Sequence, residues 1–109
     1  MDVQLLGIGR NGHIAFNEPG SAIDSSIRIV HLSPDTMLRN STSHDRAITM
    51  GIKEIMESRK AILLASGSPK AQALAAAVKG PTTGAVPASF LQRHGNAFIF
   101  ADAEAAALL

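Results

Sequence analysis

The amino-acid sequence predicts an α/β domain built around a largely parallel β-sheet. Short apolar runs alternate along the chain with segments of helical periodicity, which is the pattern of strands joined by crossover helices. Serine-proline and glycine-proline pairs separate several of these segments. The length of 109 residues, 46% of them hydrophobic, suffices for one core, so we expect residues 1–109 to form a single domain.

The first half of the chain predicts two strands and two helices. Residues 3–8 form an apolar run that predicts a buried strand, and residues 28–32 predict a second, short strand. Ser33 and Pro34 then offer a capping hydroxyl and a proline, a pair with which helices begin. Residues 47–57 predict an amphipathic helix of about three turns. Its apolar face consists of Ile48, Ile52, Ile55 and Met56.

The second half predicts two further strands and two further helices. Residues 61–65 are entirely apolar and predict a strand buried on both faces. A helix is predicted to start at Ser68-Pro69 and to end at Gly80-Pro81. Its inward residues are predicted to be Ala71, Leu74, Ala75 and Val78. Residues 87–94 predict a short helix and residues 97–101 a last strand, after which Asp102 is expected to cap an alanine-rich tail.

Composition and charge argue against several classes of function. The net charge is +1 and no cluster of basic residues is interleaved with aromatics, so we expect no nucleic-acid partner. No apolar run is long enough for a membrane span, and no secretory signal is visible, so we expect a cytoplasmic protein. Cysteine is absent, and the histidines at 31, 44 and 94 lack partners at metal-ligand spacing, so no metal site is predicted.

The loop that follows the first predicted strand carries Gly7, Gly9 and Gly12 in the spacing of a dinucleotide-binding turn. Such a turn requires a helix of several turns directly after the glycines. The segment Asn17-Glu18-Pro19-Gly20-Ser21 would break that helix within two turns. We therefore predict that the glycines serve another ligand and that the protein needs no cofactor.

The same loop brings Asn11, His13 and Glu18 together at close spacing. Histidine can exchange a proton near pH 7, and Glu18 is placed to hold one of its ring nitrogens. Gly9 and Gly12 allow backbone amides to approach an oxygen-rich ligand. The alternative is a loop histidine bonded to backbone beside a solvated glutamate, and the residue types alone leave both interpretations open.

A second candidate site is the segment SGSPKAQAL, residues 66–74, in which Lys70 lies in the first turn of the predicted helix. A cation there opposes the helix dipole by up to about 1 kcal/mol. A phosphate held by backbone amides, the Ser68 hydroxyl and the Lys70 ammonium would relieve that conflict. The alternative is an exposed lysine whose small penalty is tolerated.

The segment GIGRNGHIAFNEPGS resembles the active-site segment of the glucosamine-6-phosphate deaminase/isomerase family. The similarity continues through DTMLRNS, AITMGI and LLASGSPKAQALAAAVKGP, and covers residues 3–81 in order. The related 6-phosphogluconolactonases share the glycine loop and the Gly-His pair but continue with a Ser-Leu-Phe-Pro type of segment. The resemblance therefore favours the deaminases.

The resemblance implies a three-layer Rossmann-like fold and a sugar-phosphate substrate. His13 would shuttle the proton that opens the pyranose ring, Glu18 would support that histidine, and Lys70 would contact the phosphate. Asn11 stands where some members have aspartate, and its amide would act by hydrogen bonding. An arginine commonly follows the Asn-Ser pair as a further phosphate ligand, whereas Thr42 stands there, so Arg46 is the candidate replacement.

The resemblance also implies that the N-terminal half of the fold is missing. Family members are more than twice this length, and their first half carries a glycine/serine-rich phosphate loop and the carboxylate that abstracts the C2 proton. The sequence therefore predicts either a fragment of a deaminase or a binding domain that cannot catalyse the reaction, with a lactonase-like hydrolase as a further alternative. A sheet without its N-terminal strands exposes an apolar edge, so we expect homo-oligomers or association through that edge.

Overall fold

The computed structural model describes all residues, 1–109, and its centre is a three-stranded parallel sheet. The strands are β1 (Val3–Gly7), β2 (Arg28–His31), β3 (Arg46–Thr49), β4 (Lys60–Ala65) and β5 (Ala97–Ala101). The helices are α1 (Pro34–Arg39), α2 (Ile52–Glu57) and α3 (Ala71–Lys79), with 3₁₀ turns at Ser68–Lys70 and Pro87–Arg93. The sheet order is β1-β4-β5, and β2 pairs with β3 in a separate antiparallel ribbon. The predicted α/β class with a mostly parallel sheet is confirmed.

Helix α1 begins where the sequence predicts. The Ser33 hydroxyl accepts the backbone N–H of Thr36 at 3.1 Å, and Pro34 occupies the first turn, where its missing N–H costs no hydrogen bond. This cap satisfies one of the amide donors that every helix leaves free at its start. It also fixes the position of Thr36, which is buried.

The predicted helix over residues 47–57 is wrong in its first half. Residues 46–49 form β3, in which Ala47 pairs with Val30 and Ile48 with Ile29, and the helix α2 begins only at Ile52. The antiparallel partner strand is distant in sequence, so the helical spacing of the isoleucines could not reveal it. Gly51 lies between the two elements. Only glycine fits at this position, because a Cβ there would lie 1.9 Å from the Ser25 carbonyl oxygen.

Helices α2 and α3 and the 3₁₀ turn at 87–93 cover one face of the parallel sheet. The completely buried side chains Ile52, Ile55, Leu63 and Leu74 form the centre of this core. The inward stripe of α3 differs from the prediction, because Val78 is exposed while Ala73 and Ala77 are buried. The 3₁₀ turn at 87–93 packs against the small alanine side chains of α3, which permit a close approach.

The opposite face of the sheet is apolar and uncovered. The register aligns Leu5 with Ile62 and Phe98, and Leu64 with Phe100, so these side chains share one face. Leu5 is 63% exposed, Leu64 47% and Phe100 59%. The predictions that β1 is a buried strand and that β4 is buried on both faces are therefore wrong for this chain. One helical layer is present, and the sheet face that a second layer would cover is open.

No helix in the structure combines the length and the apolar character needed to cross a bilayer.

The carboxyl ends of the parallel strands, at Gly7, Ala65 and Ala101, lie along one edge of the sheet. The loops that leave this edge contain most of the residues that the sequence marks as functional.

We propose that the isolated chain self-associates through the uncovered face, because exposed apolar surface of this extent drives association. Replacing Leu5 and Phe100 together by threonine keeps β-propensity but removes apolar area. We expect light scattering to show larger species for the parent chain than for this variant. At protein concentrations too low for association, the unfolding free energies of the two should agree within about 1 kcal/mol, since both side chains are exposed.

The matched control is Leu63→Ala, on the covered face of the same sheet. It should cost about 2–5 kcal/mol of stability, because it leaves a cavity in the core. A parent chain that is monomeric in light scattering would show that the uncovered face does not drive association.

Candidate active site

A cleft of about 510 Å³ lies at the carboxyl edge of the sheet, between the loops that follow β1 and β4. Gly9, His13 and Lys70 line it, together with Arg39 at the end of α1 and Thr49 at the end of β3. Crevices outside the carboxyl ends of parallel strands are where open α/β sheets bind ligands. The cleft therefore joins the two segments that the sequence singles out separately.

The glycines of the first loop are required by close packing around His13. A Cβ at Gly9 would lie 2.1 Å from the imidazole ring, so only glycine leaves room for that ring. The Gly9 amide donates to the His13 carbonyl at 2.9 Å, which closes the loop on itself. Gly12 has φ +87°, and its missing side chain faces Val86, away from the cleft. Gly9 thus lines the cleft and Gly12 supports the loop from behind.

No helix follows these glycines, which agrees with the expectation from the sequence. The chain turns instead, and the buried side chain of Asn17 anchors the turn. Its amide nitrogen donates to the carbonyl oxygens of Ile14 at 3.0 Å and Met50 at 2.8 Å, and its oxygen accepts from Arg28 at 3.0 Å. The sequence analysis missed this role, because a buried loop asparagine looks the same in sequence as a solvated one.

His13 is held by Asn11 more directly than by Glu18. Its Nδ1 lies 2.8 Å from Asn11 Oδ1 and 3.5 Å from Glu18 Oε1. Asn11 Nδ2 donates to Glu18 Oε2 at 2.7 Å. Glu18 therefore supports the histidine mainly through the intervening amide.

This arrangement determines which nitrogen of His13 carries the proton. A carboxylate only accepts hydrogen bonds, so Asn11 must turn its NH₂ group to Glu18 and its oxygen to His13. An amide oxygen also only accepts, so Nδ1 is the protonated nitrogen of the neutral ring. Nε2 makes no hydrogen bond within the chain and is free to accept a proton from a ligand in the cleft.

Thr36 is a further member of this network that the sequence analysis missed. Its hydroxyl donates to Glu18 Oε1 at 2.6 Å, and the Ser33 hydroxyl donates to Thr36 Oγ1 at 2.9 Å. The Ser33 side chain that caps α1 therefore also orients the Thr36 hydroxyl, which holds the Glu18 carboxylate. The only signal in the sequence is the segment DTMLRNS, which belongs to the resemblance but does not by itself indicate a contact with residue 18.

Burial is the main cause that lowers the pKa of His13 below its ordinary value of 6.5. The charge of Glu18 opposes this shift and that of Lys70 adds to it, with a smaller opposing effect from Asp35. The folded protein therefore binds fewer protons at this site than the unfolded chain when the pH is just below 6.5. Folding stability from this group is present above pH 6.5 and falls as the pH drops through the folded-state pKa.

Lys70 lies at the end of the 3₁₀ turn Ser68–Lys70, immediately before α3, and not in the first turn of the helix as predicted. Its ammonium donates to the Ile8 carbonyl oxygen at 2.6 Å, so it reaches across to the end of β1. Burial, and then the positive charges of Arg10 and Arg39, lower the pKa of Lys70. A partly buried ammonium beside other cations favours an anionic ligand.

Two further candidates lie outside the cleft wall. Ser68 is exposed at the start of its turn, and Arg46 is exposed on β3. Their roles as phosphate ligands stay predictions. The turn itself is held by Asp102, whose carboxylate accepts the amides of Gly67 at 3.1 Å and Ala105 at 2.8 Å. These two hydrogen bonds hold the pKa of Asp102 below its usual range, and the expected cap of the tail is confirmed.

The pKa of His13 should respond in opposite directions to its two charged neighbours. We expect Glu18→Gln to lower the pKa of His13 further, because a charge that raises it is removed. We expect Lys70→Met to raise it, because a charge that lowers it is removed. An NMR titration of the imidazole Cε1–H signal measures both changes. Shifts of the same sign in the two variants would contradict the described electrostatics.

Comparison with known proteins agrees with the resemblance noted in the sequence. A sequence model of the family described as glucosamine-6-phosphate isomerases/6-phosphogluconolactonase matches residues 1–100. The chain is 46% identical to a glucosamine-6-phosphate deaminase of Rhodopirellula baltica and 47% identical to one of Streptococcus pneumoniae serotype 4. All of this chain is covered, but only 46% and 50% of those relatives. The chain thus spans about half the length of the curated relatives it matches.

Solved structures give the same result. A monomeric glucosamine-6-phosphate deaminase superposes on the whole chain with a TM-score of 0.95 at 40% identity, over 48% of its own length. A 6-phosphogluconolactonase of Trypanosoma brucei superposes with a TM-score of 0.82 at 28% identity, over 42% of its length. On the strength of the family match over nearly the whole chain, this protein belongs to the glucosamine-6-phosphate isomerase/6-phosphogluconolactonase family.

Proposed function

We propose that the chain supplies the ring-opening and phosphate-binding part of an amino-sugar-phosphate deaminase. The net reaction would convert glucosamine 6-phosphate and water to fructose 6-phosphate and ammonia, and so hydrolyse a C–N bond. The observation that carries the proposal is that His13 lines one cleft with the partly buried Lys70, while its Nδ1 lies 2.8 Å from an amide oxygen, from which we infer that Nε2 is unprotonated. The relatives that bear the deaminase name support the choice of reaction.

In this proposal His13 moves a proton between the anomeric hydroxyl and the ring oxygen, and the C1–O5 bond breaks to give the open-chain aldehyde. Asn11 keeps the proton on Nδ1, so that Nε2 can act as the base. Glu18 stabilises the imidazolium that forms transiently, through its charge and through Asn11. No metal or organic cofactor takes part in these steps. Because phosphorylated sugars are retained inside cells, we place the reaction in the cytoplasm.

The later steps need a group that the cleft does not contain. Isomerisation requires a base that takes the proton from C2, and no aspartate or glutamate lines the cleft. The relatives are about twice as long as this chain. We propose that the missing carboxylate belongs to an N-terminal half, which would also cover the open face of the sheet.

The absence of an acid from the cleft also favours a second candidate function. The chain would then bind sugar phosphates without converting them. A lactonase activity is a weaker alternative, supported by the family description and by the fold shared with the Trypanosoma brucei protein. Assays with glucosamine 6-phosphate and with 6-phosphogluconolactone distinguish these three possibilities.

Activity should appear on complementation and should depend on His13. The chain is mixed or co-expressed with the N-terminal half of the Streptococcus pneumoniae relative, and ammonia release from glucosamine 6-phosphate is measured. We expect His13→Gln to lower kcat by about 10²-fold or more, the usual size of a general acid–base contribution. His44→Gln is the control, because His44 is exposed and does not line the cleft.

Full activity of the His13 variant would contradict the ring-opening role. Binding of glucosamine 6-phosphate without ammonia release by any complemented pair would favour the binding domain instead.

Lys70 should matter for affinity more than for stability. We expect Lys70→Met to weaken glucosamine 6-phosphate binding about 10- to 100-fold, the range for a lost hydrogen bond to a charged group. The stability of the free protein should change by no more than about 1 kcal/mol, because removal of a partly buried cation beside other cations offsets the lost hydrogen bond to the Ile8 carbonyl. Calorimetric titration and a thermal melt measure the two quantities. Lys79→Met, at the other end of α3, is the control, and a loss of stability with unchanged affinity would make Lys70 structural.

A further inference from the structure

We propose that Arg39 is a phosphate ligand of the cleft and acts together with Lys70. The inference rests on the proposed function, because it assigns a residue to the phosphate end of that substrate. Arg39 is the last residue of α1, and its side chain lines the same cleft as His13 and Lys70. Nothing in the sequence pattern marks it, since it precedes the Asn-Ser pair after which the family's arginine is expected.

The guanidinium of Arg39 has N–H donors that are not used within the chain. Its Nε lies 3.4 Å from Asp35 Oδ2, a long contact between partly exposed side chains. Its two terminal nitrogens make no hydrogen bond within the chain. A guanidinium in this state can offer a pair of N–H groups to two phosphate oxygens, the geometry for which arginine is suited.

The two other candidates for this role are poorly placed. Thr42 stands where the family's arginine is expected, but it carries no charge, and its hydroxyl accepts the His44 amide at 3.1 Å. Arg46 projects from β3 and does not line the cleft. Arg39 is the only arginine in the cleft wall.

The charges around the cleft also favour an anion at Arg39. Lys70 and Arg39 both line it, and no carboxylate does. After burial and the charge of Arg10, the positive charge of Arg39 also lowers the pKa of Lys70, so the two cations lie close enough to repel each other. A phosphate dianion between them would turn that repulsion into two attractions.

The alternative is that Arg39 only stabilises its own helix. A cation in the last turn interacts favourably with the helix dipole, and the Asp35 pair has the spacing of four residues typical of helical ion pairs. Such a role predicts a change in stability and none in affinity for phosphate.

The test is a calorimetric titration of the 109-residue chain with three probes: glucosamine 6-phosphate, inorganic phosphate and unphosphorylated glucosamine. We expect Arg39→Ala to weaken binding of both phosphate-containing probes about 10- to 100-fold and to leave glucosamine unchanged. Arg39→Lys keeps the charge but loses the paired donors. Its affinity for the phosphate-containing probes should lie between that of the parent chain and that of Arg39→Ala. Arg59→Ala is the control, because Arg59 also pairs with an aspartate, Asp2, but at the amino end of β4.

The outcomes separate this inference from the proposed function. Unchanged phosphate affinity in Arg39→Ala, with a parent chain that binds glucosamine 6-phosphate, overturns the role of Arg39 and leaves the function intact. Phosphate binding that depends on Arg39, without preference for the amino sugar, supports Arg39 as a phosphate ligand and contradicts glucosamine 6-phosphate as the substrate. A loss that appears in Arg46→Ala instead overturns the assignment in favour of Arg46. A parent chain that binds none of the probes contradicts both.

Discussion

The parallel pairing of β1 with β4 is the constraint on which the site depends. The register from Val3 opposite Lys60 to Gly7 opposite Leu64 brings the carboxyl ends of both strands to one edge. Ile8 and Lys70 thereby meet in a hydrogen bond of 2.6 Å although they lie 62 positions apart in sequence. Closing so long a loop costs chain entropy, and the burial of Leu6 and Leu63 on the covered face helps to offset that cost.

The second level of organisation is the chain of hydrogen bonds behind His13. Ser33, Thr36, Glu18 and Asn11 follow one another, and each donor and acceptor in the series has its partner. The same serine that caps α1 thus fixes, through three further side chains, which ring nitrogen can accept a proton. Burial and Lys70 lower the pKa of the imidazole while Glu18 raises it, so the environment tunes the proton affinity of the ring from both sides.

One face of the parallel sheet packs against a buried hydrophobic core. The other face is apolar, and nothing in the chain covers it. The same division appears in the chemistry, because the cleft holds a histidine, a lysine and an arginine but no acid. A solved deaminase superposes on this chain over 48% of its own length, and a curated relative matches it in sequence over 50%. A second half that supplied both a helical layer and a carboxylate would complete the core and the proposed reaction together.

The sequence by itself determined the α/β class, the last strand and the cap of α1, because these follow from local pattern. One specific motif led to the prediction that His13, Asn11, Glu18 and Lys70 are site residues. The local pattern failed for residues 46–49, where an antiparallel partner overrode the helical spacing of Ile48 and Ile52. Only the tertiary structure decided that Asn11 contacts His13 directly, that Thr36 holds Glu18, and that Arg39 rather than Arg46 lines the cleft. These are contacts between side chains brought together by packing, and their geometry depends on the register and burial of distant segments, which no local pattern encodes.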